Sequence, residues 1–152
     1  KMMDIVYVCS PYKGDTEKNV KNVKHYCRIV TCYYKVPIAP HLYFTQFLND
    51  DDSFDRIKGM EMGLSILPLC KEIWVIADEV TEGMIKEIKE AEKLGLQFKF
   101  MNSDMEEINY DALIINKRIG PGFRKIIEDI VAGSGKDHKC TCSGKCRETA
   151  IL

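Results

Sequence analysis

Four short apolar runs, each closed by a turn signal and separated from the next by a longer helix-periodic stretch, dominate the first two-thirds of the chain. Asp4 to Cys9 stops at Ser10-Pro11-Tyr12-Lys13-Gly14, and Val36 to Ala39 stops at Pro40. Glu72 to Ala77 and Gln97 to Met101 are the third and fourth. Runs of this length and composition read as buried strands. After a cap at Asp15 or Thr16, Val20, Val23, Cys27 and Val30 share one helical face. A second helix runs from a cap at Asp52 or Ser53 to about Leu69, and a third from Thr81 to Gly95. His41 to Asp52, with Tyr43, Phe44, Phe47 and three consecutive aspartates, reads as a loop.

The order β-α-β-α-β-α-β leaves few solutions. Parallel strands need crossover connections, and here the crossovers are helices that can cover both sheet faces. The expected fold is an α/β domain of three layers, doubly wound and Rossmann- or flavodoxin-like, with a mainly parallel sheet of four to five strands. Residues 102–116 fit neither period. Gly120-Pro121-Gly122 opens a last helix to about Ala132, with Pro121 in its first turn. Gly133-Ser134-Gly135 then marks a break, so residues 1–132 are assigned to the domain and 133–152 to a flexible, cysteine-rich tail.

At 152 residues the chain is long enough for one domain with a sizeable core. Its formal charge of −1 gives no global field directed at nucleic acid or membrane. No apolar run approaches membrane-spanning length, and no signal-peptide pattern opens the sequence. Cys9, Cys27, Cys32 and Cys70 sit in apolar elements and read as buried, reduced thiols, which fits a cytoplasmic location.

One residue breaks the pattern of the third helix. At about 100° per residue, Met84, Ile85, Ile88, Ala91 and Leu94 gather on one side, with Lys86, Lys89, Glu90 and Lys93 on the other. Glu87 falls between Ala91 and Leu94, inside the apolar sector. It also follows a strand end, where open α/β sheets bind ligands. Glu92 lies in the sector too, so a carboxylate merely reaching solvent from a stripe edge is the competing reading.

In a doubly wound sheet the loops after the strands emerge along one edge. That edge would present Ser10, Tyr12, His41, Tyr43, Asp50 to Asp52, Asp78 and Glu87, a suitable lining for a small polar ligand with an aromatic face. Each has a plainer reading. Ser10-Pro11 can simply end a strand, His41 can cap a loop, the aspartates can cap a helix, and Phe44 and Phe47 can pin the loop to the core. The first loop has neither the dinucleotide fingerprint nor the phosphate-loop pattern, although the helix start at Asp15 can receive a phosphate.

Ile5-Val6-Tyr7-Val8-Cys9-Ser10-Pro11 resembles the first strand and loop of the nucleoside 2-deoxyribosyltransferase superfamily. Trp74 to Phe100 resembles that family's strand, acidic loop and Gly-x-x-x-Glu helix, here Gly83 to Glu87, followed by Ala91 and Leu94-Gly95. The resemblance spans residues 4–101 and is nearest an uncharacterised, partly phage-borne branch. It implies a retaining cleavage or transfer of the N-glycosidic bond of a nucleoside or nucleotide. Glu87 would be the nucleophile, forming a glycosyl-enzyme intermediate. Tyr7 matches the tyrosine that hydrogen-bonds the nucleophile, and Asp78 lies in the acidic loop that holds and protonates the leaving base. Ser10, Pro11, Tyr12, Gly14, His41, Gly83 and Met84 would contact substrate. The domain itself would need no cofactor, and a homo-oligomer is implied because the family often completes its pocket across subunits. Thr81 stands where relatives often carry an aspartate. For the acidic residue at the start of the preceding helix, Asp55 is the nearest match, with Arg56 beside it.

His138, Cys140, Cys142 and Cys146 place four soft ligands in nine positions of the tail. Three thiolates and an imidazole suit zinc, although Cys-x-Cys-x3-Cys is not the usual paired spacing, and a tail with reactive thiols is the alternative. Two other functions fit the same sequence. One is a non-catalytic binder of a nucleotide or nucleotide-derived signal, which would not need Glu87. The other is a protein-interaction module acting through the tail.

Overall fold

A computed structural model describes residues 1–108 and 120–137, with side chains described in the last helix through Ala132. The elements in chain order are β1 (Ile5–Cys9), α1 (Thr16–Cys32), β2 (Val36–Ile38), α2 (Pro40–Phe44), α3 (Ser53–Ile66), a 3₁₀ turn (Leu67–Leu69), β3 (Glu72–Ile76), α4 (Glu82–Leu94), β4 (Gln97–Met101) and α5 (Pro121–Asp137). The sheet order is β2-β1-β3-β4 and every pairing is parallel. Tyr7 lies opposite Ile38 on one side and Ile73 on the other, and Ile76 lies opposite Met101.

The period-two alternation of the strands divides the core into two layers. Val6, Val8, Trp74, Ile76 and Met101 pack against Val23, Tyr26 and Val30 of α1. Tyr7, Cys9, Ile73, Val75 and Phe100 face the other way, onto Leu67, Met84, Ile88 and Ala91, with Phe123 and Ile127 of α5 behind them. Both central strands are therefore covered on both faces, which is why they read as continuous apolar runs. Buried Glu72 at the start of β3 is compensated by Lys35 and by the Trp74 indole N–H, which donates over 3.3 Å. Asp52 caps α3, accepting from the amides of Phe54 and Asp55, and the Thr81 hydroxyl caps α4 from Met84 N–H.

The chain crosses from β1 to β2 on one side of the sheet and returns to β3 on the other. The ends of β1 and β3 therefore diverge, and the crevice between them is the switch point where doubly wound sheets bind ligands.

Three expectations are corrected. His41 to Asp52 is not all loop, because Pro40–Phe44 forms a short helix with Pro40 in the first turn, where its missing amide costs nothing. The Thr45 hydroxyl donates to the His41 carbonyl over 2.6 Å and closes that turn. Cys32 is exposed rather than buried and Cys27 is only partly buried, because α1 turns its last residue outward beside exposed Tyr33. α5 continues across Gly133-Ser134-Gly135 to Asp137, since a helix interior absorbs a glycine for about 1 kcal/mol. His138, Cys140, Cys142 and Cys146 lie outside the described residues.

Candidate active site

β1 sends Tyr7 and Cys9 to the same face, two residues apart, just before the strand ends. Met84 and Ile88 anchor α4 against that face, and Glu87 is carried between them toward the carboxyl end of β1. Glu92, the other carboxylate of the apolar sector, is exposed. Glu87 keeps partial exposure as a residue because it lines a cavity, while its carboxyl lies deep in the protein.

Burial raises the Glu87 carboxyl from 4.5 to about 7, and hydrogen bonds from the Tyr7 hydroxyl and the Cys9 thiol pull against that rise. Tyr7 is pushed far above its ordinary value, first by burial and then by the charge of Glu87, so it stays protonated and donates. α3 reaches Tyr7 through Gly63, where an added Cβ would stand 3.1 Å from the phenol oxygen. Gly83 has a similar role on α4, with the Met60 methyl 3.2 Å from its missing Cβ.

The cavity has a volume of about 280 Å³, at the lower end for small-molecule sites. Glu87, Tyr7, Gly83 and Met84 line one side, and Ser10, Tyr12 and His41 another. His41 enters from α2, its ring 5.4 Å from that of Tyr12. Burial lowers its imidazole to about 4, so it is neutral at physiological pH. The His41 Nε2 and Ser10 Oγ atoms are buried and have no hydrogen-bond partner among the described residues. Leaving a polar atom unpaired costs about 1–3 kcal/mol, so two of them facing one cavity is the signature of a surface kept for a ligand.

Not every expected residue reaches the cavity. Asp78 is turned away from it, and its carboxylate accepts from the Ser103 amide at 2.9 Å and the Ser103 hydroxyl at 2.7 Å. Beside it, Glu79 accepts from the Phe123 amide at 2.8 Å and holds the start of α5. The acidic loop is thus occupied with architecture. Pro11 and Gly14 shape the first loop without lining the cavity, and Gly14 takes φ of +101° to turn the chain. Asn19 pins that loop by donating to the carbonyls of Tyr12 and Lys13 at 3.0 and 3.1 Å.

The cavity also recruits Asp55 and Arg56 from the first turn of α3, with Lys13 and Asp50. Asp55 accepts from the Asn49 amide at 2.9 Å, which ties it to the loop that precedes the helix. The sequence signal for them is the helix start itself, since a capped first turn following a strand-end loop faces the same crevice.

The fold and cavity define a doubly wound α/β domain with a carboxylate buried at its switch point. Residues 4–101 match the family described as Domain of unknown function (DUF7768), and the chain belongs to it. Among solved structures it is similar to a 2-deoxyribosyltransferase from Bacillus psychrosaccharolyticus, with a TM-score of 0.55 and 14% identity over 72% of this chain and 79% of that one. At that identity the likeness is one of fold. No curated protein matches the sequence.

Proposed function

We propose that the protein cleaves or transfers the N-glycosidic bond of a nucleoside or nucleotide, with Glu87 as the nucleophile. The observation that carries this reading is a carboxyl set deep in the protein on the wall of a cavity at the switch point, beside a phenol that stays protonated. At neutral pH a large fraction of Glu87 is ionised and able to attack. A carboxylate oxygen bonds to the anomeric carbon as the C–N bond breaks, and the bonding pair leaves with the base. In the second step water or another base attacks the same carbon and frees Glu87. With Asp78 committed to Ser103, we assign contact with the leaving base to Asp55, which is partly buried on the cavity wall, and the departing base takes its proton from solvent. Tyr12, Phe44 and neutral His41 supply an aromatic surface for the base. The assembly proposed is a homo-oligomer, supported by exposed Phe54 and Ile57 on α3 beside the cavity.

Intact-protein mass spectrometry after incubation with mixed deoxynucleosides and deoxynucleotides tests the reading. The expected result is a deoxyribosyl adduct on the native chain and none on Glu87→Ala. Saturable binding with neither adduct nor released base would replace it with the second reading, a nucleotide-binding scaffold. The unpaired Ser10 and His41 atoms favour that reading, because they serve binding whether or not Glu87 reacts.

A further inference from the structure

Helix α3 lays one edge along the cavity. Asp55, Gly59, Met60 and Gly63 all line it, and at about 100° per residue they share an arc of about 140°. Gly63 marks the inner end of this edge, where an added Cβ would stand 3.1 Å from the Tyr7 hydroxyl oxygen. Asp55, which meets the leaving base in the reading above, lies at the other end, about 12 Å away along the helix axis. A base leaving a sugar at Glu87 toward Asp55 therefore passes over Gly59 and beside Met60.

The two glycines give that path a floor of backbone, and side chains border it. Leu48, from the segment after α2, has its Cδ1 3.6 Å from the missing Cβ of Gly59. Met60 reaches toward α4, where its methyl stands 3.2 Å from the missing Cβ of Gly83. Gly83 in turn lies one helical turn before Glu87. Met60 thus fills the seam between α3 and α4 close to the reacting residue. Its thioether is long, unbranched and apolar, so it bounds the cavity by volume and offers a ligand no strong hydrogen bond. The cavity it bounds is small, about 280 Å³. Truncating Met60 to alanine removes as many heavy atoms as the second ring adds to a purine.

We propose that Met60 sets the size of the base the cavity accepts, admitting a single-ring pyrimidine and excluding a two-ring purine. This rests on the reading of Glu87 as the nucleophile and deepens it by naming the substrate class. In an apolar pocket one methylene too many changes selection by about 10- to 200-fold, so a single side chain is enough to draw this limit.

Titration calorimetry of the full chain tests it, in a Glu87→Gln background that stops turnover. The probes are thymidine and deoxycytidine against deoxyadenosine and deoxyguanosine, with their 5′-monophosphates. With Met60 in place the pyrimidines are expected to bind more tightly, and Met60→Ala should shift the ratio toward the purines by about tenfold or more. Met60→Leu keeps the bulk and is expected to keep the preference. Gly83→Ala acts on the same wall from behind, because its Cβ drives the flexible methyl into the cavity. It should weaken pyrimidine binding by about tenfold, and adding Met60→Ala should restore it. An unchanged ratio in Met60→Ala, or a purine preference with Met60 in place, overturns the proposal. If Met60→Ala does not fold, Gly83→Ala decides, and undiminished pyrimidine binding overturns it. Base release by chains that keep Glu87 separates the two claims. Release without a size preference leaves the glycosyl reading and sinks the role of Met60. A size preference with neither adduct nor released base leaves the limit set by Met60 and sinks the glycosyl reading. No binding of any probe overturns both.

Discussion

Ser103 spends both its amide and its hydroxyl on the carboxylate of Asp78, at 2.9 and 2.7 Å, and so ties the end of β3 to the turn after β4. The Asp78 carbonyl meanwhile accepts from the Gly120 amide at 2.8 Å. These bonds make Asp78 a brace between three segments of chain. Asp78→Asn keeps the shape and one acceptor oxygen but loses the charge-assisted bonds. It should lower stability by about 1–2 kcal/mol and leave glycosyl-adduct formation within about threefold of native. Urea unfolding and the adduct rate check both halves. A rate loss of the size seen for Glu87→Ala, with stability intact, would return Asp78 to the chemistry.

Glu87 and His41 should give the protein opposed pH dependences. The folded state raises the Glu87 carboxyl from 4.5 to about 7, so it keeps a proton that the unfolded chain has released. Stability from this group is therefore lost as pH rises through that window. The folded state lowers His41 from 6.5 to about 4, so the unfolded chain takes up a proton that the native one refuses. Stability from this group is lost as pH falls through its window. Each effect is at most roughly 3 kcal/mol, and between pH 4.5 and 6.5 they oppose each other. Glu87→Gln should expose a stability that climbs with pH there, and His41→Gln one that declines. Equal, flat profiles in both variants would rule the scheme out.

The four strands and the α/β class were legible in the sequence because both depend on local patterning, whereas the sheet order was not. Gln97 to Met101 coincides with β4, and the displaced carboxylate of the third helix does line a cavity. The position of Asp78 was not legible: an acidic residue after a strand reads as a site residue until its partner is known, and Ser103 is 25 residues away. Pro40 misled in a different way. It ends a strand and begins a helix equally well, so the turn that carries His41 and Phe44 inward left no periodic trace. Cys9 was legible only as a buried thiol, because nothing in a sequence shows that it meets the Met84 carbonyl, 75 positions later.

Helix α3 is where the proposed homo-oligomer can be tested. Gly63 is its single fully buried residue, while Phe54 is 80% and Ile57 59% exposed. Exposed Tyr43 and Phe47 lie edge to face, 5.3 Å between centroids, and extend the apolar character into the neighbouring segment. Light scattering of the native protein should report a dimer or larger, and the pair Phe54→Lys with Ile57→Glu should report a monomer. Because both side chains are exposed, the substitutions should change the stability of the monomer fold by no more than about 1 kcal/mol. A monomeric native protein would sink the homo-oligomer.

Gly63→Ala separates the geometry of the site from the stability of the helix that covers it. Alanine is the better helix former by about 1 kcal/mol, so on propensity alone the variant should be more stable. Its Cβ, however, would stand 3.1 Å from the Tyr7 oxygen and 3.7 Å from Pro40. The first distance is too short for relaxed contact, and the phenol is the softer of the two neighbours because its ring can tilt. Tyr7 should give way by a few tenths of an ångström, enough to lengthen its bond to Glu87 without unfolding anything. The expected result is a melting temperature within a few degrees of native, a higher Glu87 titration and an adduct rate at neutral pH reduced several-fold. Tyr7→Phe, which removes the donor outright, should shift the titration further in the same direction. If Gly63→Ala reacts at the native rate while Tyr7→Phe does not, the close approach of α3 is a packing contact only, and Tyr7 orients Glu87 without its help.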